Sequence, residues 1–146
     1  MEVIIIPLET KHLGLCIELD QNVFKGLWTK AQWESEIRDP KRICLGAFES
    51  ERLLALCSGW LILNEFHITV LVVSPLYLRQ GLGTLILSTI IHRAKIQGIN
   101  KIILEVKETN EPAKALYKKM GFQITGLRSK LYRDGNNALI FIKNLI

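Results

Sequence analysis

The sequence predicts one α/β domain over residues 1–146, a mixed and mostly antiparallel sheet flanked by helices in the order βααβββαβαββ. Three observations predict it. Three β-rich runs, 43–48, 53–63 and 67–73, succeed one another across connectors of a few residues, which favours antiparallel neighbours. The third run stops at Ser74-Pro75; beyond Gly81 and Gly83 a long helical pattern leads to another β run at 101–106, and such a strand–helix–strand unit requires a parallel pair. Two last runs, 122–131 and 138–146, flank Arg133-Asp134-Gly135-Asn136, a hairpin turn signal.

Taken in order, the chain opens with a short apolar run ending at Pro7. It reads as a first strand, being far below the roughly 20 residues of a membrane span. Thr10 is placed to cap a helix carrying Leu13, Cys16, Ile17 and Phe24 on or near one face. A second helix begins at Thr29-Lys30-Ala31-Gln32, a capping-box pattern; Trp33 and Ile37 give it an apolar side, and Pro40 prevents its continuation. Trp28, just before that cap, suits a staple packing on the helix or a wall of a substrate groove. After the three β runs, Leu85, Ile86, Leu87, Ile90, Ile91 and Ala94 recur at helical spacing until Gly98, a capping glycine. Asn110 then caps a helix with Pro112 in its first turn and Ala113, Leu116, Tyr117 and Met120 along it, and Gly121 ends it.

With 49% hydrophobic and 23% charged residues, the composition is that of a globular chain, and 146 residues suffice to bury one sizeable core. The net charge of +5 fits a solvated basic surface or attraction to polyanions. Direct nucleic-acid binding is not expected, because the basic residues are spread along the chain and no recognition motif accompanies them. Cys16, Cys44 and Cys57 are odd in number and widely spaced. That usage, without an export signal, points to buried thiols in a reducing cytoplasm. The three histidines show no ligand spacing, so no metal is assigned and no membrane partner is expected.

Gly81 and Gly83 sit where a helix begins. They are a plain tight turn or a cradle for phosphate, since unobstructed N–H groups and the helix dipole attract an anion there. A Walker A loop is excluded, because no Gly-Lys-Ser/Thr closes the segment. The dinucleotide fingerprint is excluded as well: Leu85 and Ile86 stand where its third glycine belongs.

Glu105 interrupts the apolar run Ile102, Ile103, Leu104, Val106. A parallel strand covered on both faces should be apolar throughout, and an unpaired buried carboxylate is costly. Two readings stand: an ion pair at an open strand end with Lys107 or another basic group, or a catalytic carboxylate. Tyr117, on the helix that follows, reads as a core aromatic with a wet hydroxyl.

The segment Leu78-Arg79-Gln80-Gly81-Leu82-Gly83 resembles the acyl-CoA loop of the GNAT superfamily of N-acetyltransferases, Gln/Arg-x-x-Gly-x-Gly/Ala, with Leu78 departing at the first position. Leu104-Glu105-Val106-Lys107-Glu108-Thr109-Asn110, then Ala115-Leu116-Tyr117 and Gly121-Phe122, looks like the bacterial ribosomal-protein-alanine N-acetyltransferases, the RimI type. The resemblance implies the GNAT fold and acetyl-CoA as cosubstrate. It implies backbone contacts from Leu71, Val72 and Val73, a pyrophosphate loop of Arg79, Gln80, Gly81, Leu82, Gly83 and Thr84, and a further cofactor contact at Asn110. It also implies Glu105 as base, Tyr117 as acid and Tyr132 as a peptide contact. The implied acceptor is a protein N-terminus, alanine on a ribosomal protein, attacked directly in a ternary complex. Small amines, lysine side chains and a non-catalytic acyl-CoA-sensing role are the alternatives. Leu131-Tyr132 stands where the family often carries a tyrosine pair, and Asn136-Asn137 where it carries an acidic pair, which implies relaxed acceptor choice.

Overall fold

The computed structural model describes residues 2–129 and 134–146. Among them the elements run β1 (Ile4–Pro7), α1 (Leu13–Phe24), α2 (Lys30–Arg38), β2 (Arg42–Glu49), β3 (Arg52–Ile62), β4 (Glu65–Val73), α3 (Leu82–Ile96), β5 (Lys101–Lys107), α4 (Glu111–Lys119), β6 (Gln123–Arg128) and β7 (Ala138–Asn144). The order is the expected one. The strands form a seven-stranded sheet, β1-β2-β3-β4-β5-β7-β6, antiparallel except between β4 and β5.

Side-chain alternation divides the core in two. Leu45, Ala47 and Cys57 face α3 together with Ile86, Ile90, Ile102, Leu104, Tyr117 and Phe141. Cys44, Phe48, Leu56, Val70 and Val72 face Cys16 and Leu19 of α1 and Trp33 of α2. The second cluster stops at β4, so α1 and α2 leave that face of β5 uncovered. Accordingly β5 is not the doubly covered strand expected from its apolar run: Ile102, Leu104 and Val106 are buried, while Glu105 is exposed on the open face.

The expected helix caps hold with one exception. Thr29 Oγ1 accepts the Gln32 N–H at 3.1 Å and Gln32 Oε1 accepts the Thr29 N–H at 2.8 Å, while Asn110 Oδ1 accepts the Ala113 N–H at 3.2 Å. Gly98, at φ +74°, closes α3, the Ile99 N–H reaching back to the Ala94 carbonyl. Thr10, by contrast, caps nothing; residues Thr10–His12 form a 3-10 turn and α1 starts at Leu13. His12 decides this, because its buried ring packs 5.0 Å from Phe48 and its Nδ1 accepts the Glu9 N–H.

The parallel pair is short. β4 and β5 are in register only over Glu65↔Lys101, Phe66↔Ile102 and His67↔Ile103. Just beyond, β4 carries an extra residue against β3: Ser58 faces Val70 and Gly59 faces Ile68, leaving Thr69 unmatched. This bulge reverses the alternation, so that Phe66 and Ile68 point into one cluster and Val70 and Val72 into the other. Gly59 permits it, since a Cβ there would lie 2.5 Å from the His67 carbonyl oxygen and 2.5 Å from the Phe66 ring. Gly59→Ala is therefore expected to destabilise the fold by about 2–3 kcal/mol through overpacking, measured as a lower urea midpoint. An unchanged midpoint would mean that the bulge tolerates a side chain.

Candidate active site

Beyond His67 the backbone of β4 has no strand beside it on the β5 side, and the two strands diverge. A groove of about 350 Å³ opens between them, walled by residues 68–71 of β4, residues 104–107 of β5, and Asn110, Ala113 and Tyr117 at α4. Phe24 and Leu27, from the end of α1 and the loop after it, close its rim.

Glu105 and Tyr117 approach this groove from opposite faces of the sheet. Glu105 stands on the open face, where Oε1 accepts a hydrogen bond from Arg128 Nη1 at 2.7 Å. The basic partner is thus on β6, whereas Lys107 pairs with Asp134. Tyr117 is 6% exposed, its ring edge-on to Phe122 at 5.5 Å and tilted against Phe141 at 5.9 Å. Burial, with a smaller effect from the Cys57 thiol, pushes its hydroxyl well above the usual tyrosine range. It keeps its proton at any physiological pH.

The glycine loop lies where β4 hands over to α3. Gly81 is the N-cap of α3 at φ +76°, with open space wherever a Cβ would point. Gly83 is needed for a different reason: a Cβ there would sit 3.2 Å from Leu116 of α4, so its smallness lets α3 pack on α4. The first intrahelical bond runs from the Leu85 N–H to the Gly81 carbonyl, which leaves the N–H groups of Leu82, Gly83 and Thr84 directed out of the helix end. No acidic residue lies in that first turn. Arg79, at φ +63°, and Gln80 are exposed beside it.

The other expected contacts divide. Leu71 and Asn110 line the groove; Val72 is buried towards α1 and α2, leaving only its backbone for a ligand, and Val73 continues towards the loop. Asn110 spends its carbonyl oxygen on the α4 cap, so its amide group remains for other partners. Tyr132 lies outside the described residues.

Three features of the site are not legible in the sequence pattern. Phe24, expected on the apolar side of α1, is 44% exposed at its end, and Leu27 is 47% exposed. The segment that presents them is held by Asp20, whose carboxylate is buried and accepts the Leu27 N–H at 2.7 Å, the Trp28 N–H at 3.1 Å and Trp33 Nε1–H at 2.7 Å. Burial works to raise the Asp20 pKa, but these donors together hold it below the ordinary value. Arg128 is the third. Its only sequence signal is membership of a basic stretch, whereas the Asp20 clamp leaves a fainter one, an acidic residue among the apolar positions of a helix. Trp28 takes the staple role, its ring edge-on to Trp33 at 4.6 Å.

A splayed parallel pair, a carboxylate and a tyrosine lining the cleft, and a glycine-capped helix following the first of the two strands point to an acyltransferase. Residues 15–122 match the acetyltransferase (GNAT) family, and the chain belongs to that family. It is 31% identical to the Mycobacterium tuberculosis N-alpha-acetyltransferase RimI over 81% of this chain and 77% of that protein. The Escherichia coli ribosomal-protein-S18-alanine N-acetyltransferase superposes with a TM-score of 0.92 at 26% identity, covering 99% of this chain and 94% of the other. Arabidopsis thaliana NAA60 in complex with acetyl-CoA shares the fold, with a TM-score of 0.91 at 14% identity and 98% of both chains covered.

The Asp20 clamp sets an acid dependence. A folded-state pKa below the unfolded value of about 4 means that the stabilisation is complete above that pH and is lost as pH falls through the folded value. Asp20→Asn, which leaves a clamping N–H unpaired, is expected to lower stability by about 1–3 kcal/mol at pH 7. Urea titrations should show the gap between the two proteins narrowing on acidification below pH 4. A pH-independent gap would show that the charge of Asp20 contributes nothing.

Proposed function

We propose that this protein transfers the acetyl group of acetyl-CoA to the α-amino group of a protein N-terminus, with the N-terminal alanine of a ribosomal protein as its acceptor. The observation that carries the reading is the convergence of Glu105 and Tyr117 on one groove between β4 and β5, with the open N-terminus of α3 following the end of β4. The names of the RimI-type relatives supply the acceptor class.

The residues present fit acetyl-CoA. Three helix-end N–H groups and a side-chain-free Gly81 offer a seat for pyrophosphate from Arg79, Gln80, Gly81, Leu82, Gly83 and Thr84. The unpaired edge of β4 at Leu71, Val72 and Val73 offers main-chain partners for the amide-bearing arm, and Asn110 offers its free amide group. In the reading, the neutral amine attacks the thioester carbonyl, Glu105 takes the proton the nitrogen loses, and Tyr117 gives its proton to the departing thiolate. An amine with pKa near 8 is about one tenth neutral at pH 7, against well under a thousandth for a lysine near 10.4, so a modest base serves an N-terminus. Tyr132 would contact the peptide backbone, and the buried free thiols of Cys16, Cys44 and Cys57 accord with a cytoplasmic setting.

The cofactor seat is tested by Gly81→Asp against Gly81→Asn, two side chains of one shape that both tolerate positive φ. The aspartate is expected to weaken acetyl-CoA binding at least about tenfold relative to asparagine, some 1.4 kcal/mol, in calorimetry. Equal affinities would place the pyrophosphate elsewhere. Glu105→Gln and Tyr117→Phe should each lower kcat by about 100-fold or more while acetyl-CoA affinity stays near wild type; wild-type turnover would exclude either role. Among acceptors, peptides with a free N-terminal alanine are expected to exceed N-blocked lysine peptides and small amines in kcat/KM. The opposite order would overturn the acceptor.

A further inference from the structure

We propose that Arg128 is a specificity-determining residue that selects acceptors carrying an acidic side chain at the second or third position, and that it does so by exchanging Glu105 for that side chain. The proposal rests on the reading of the chain as an N-terminal acetyltransferase.

Arg128 and Glu105 belong to different strands. On the register of β7, Glu105 lies opposite Ile140 and Arg128 opposite Ala138, so both stand on the open face of the sheet with β7 between them. Small residues flank the path of the arginine stem, Ala138 beneath it and Gly126 two positions earlier on β6. The guanidinium therefore reaches across β7 from the outer strand to the carboxylate in the groove.

The other charges at this end are committed elsewhere. Lys107 pairs with Asp134; Glu108 accepts the Asn137 N–H at 3.2 Å and Asn137 Nδ2–H at 3.1 Å; Lys114 donates to the Glu108 carbonyl and to Glu111. Arg128 alone among them is paired with the carboxylate assigned as base.

That pairing conflicts with turnover. The guanidinium occupies a carboxylate oxygen for which an incoming α-amino group must compete. The conflict is readily resolved, because the Arg128 side chain is 57% exposed and Glu105 31%, and solvent-exposed pairs of this kind are weakly held. Once displaced, the guanidinium hangs over the open face beside the groove, where the residues following the acceptor N-terminus must leave. A carboxylate there restores a forked, charge-assisted partner; a neutral residue leaves Arg128 to water, and a basic one repels it. The neutral Asn136 and Asn137 beyond the turn add no carboxylate that would favour a basic acceptor.

The test uses the full chain, acetyl-CoA and free-N-terminus alanine peptides differing only in Asp, Asn or Lys at the second or third position. In the wild type the Asp peptide is expected to exceed the Asn peptide about tenfold or more in kcat/KM, largely through KM, and the ratio should shrink with added salt. Arg128→Gln should bring the ratio close to one, Arg128→Lys should retain part of it, and Arg128→Glu should reverse the order in favour of Lys. A purely structural arginine predicts no reversal. Equal rates for the Asp and Asn peptides, or a ratio that survives Arg128→Gln, would overturn the proposal while leaving N-terminal acetylation standing. Acetylation of small amines with no activity on any peptide would overturn both.

Discussion

The unmatched residue at Thr69 is the constraint on which the rest of the molecule depends. A parallel pair that continued to its end would occupy the β5 side of β4 with ladder hydrogen bonds and close the groove. The bulge turns β4 away after three paired positions, and β5 keeps its other edge on β7 over its whole length. The same slip sends Val70 and Val72 under α1 and α2 while Ile68 stays with α3, so one extra residue both opens the site and assigns each half of β4 to a different core.

The bulge is secured by a polar chain that runs from exposed Thr69 to buried Ser58 and Glu36. The Thr69 hydroxyl donates to the Ser58 carbonyl at 3.1 Å, and the Ser58 hydroxyl donates to Glu36 of α2 at 2.7 Å. Glu36 in turn holds Arg42, whose guanidinium lies 3.2 Å above the Trp60 ring. A buried carboxylate of this kind is stable only when its lone pairs are occupied, which ties α2, β2, β3 and the bulge into one unit. Asp20 repeats the device near the end of α1, where main-chain donors take the place of an arginine. Three carboxylates thus behave in two ways: Asp20 and Glu36 are buried and held by several donors, while Glu105 is half open and paired by an arginine that solvent can reach.

The glycine loop shows how two glycines one residue apart serve different ends. Gly81 supplies a left-handed turn that no bulky side chain adopts without strain, and the turn aims the start of α3 at open space. Gly83 supplies close packing of α3 on Leu116, which brings α4, and Tyr117 with it, against the sheet. The open end of α3 and the placement of the tyrosine are therefore mechanically linked through a single helix end.

The sequence by itself determined the element order, the α2 and α4 caps, the glycine-led helix and the spacing that sets Glu105 apart from its apolar neighbours. These are local: each follows from propensity, capping chemistry or periodicity within one or two turns of chain. Only the tertiary structure decided that Thr10 yields to a 3-10 turn around buried His12, that β5 is uncovered on one face, and that Phe24 leaves the core for the rim of a groove. It alone supplied the partners of Asp20 and Glu105, which come from seven to 23 residues away. Where a strand is covered, where a ladder ends and which arginine meets a carboxylate depend on groups far apart along the chain, and no local pattern encodes those distances.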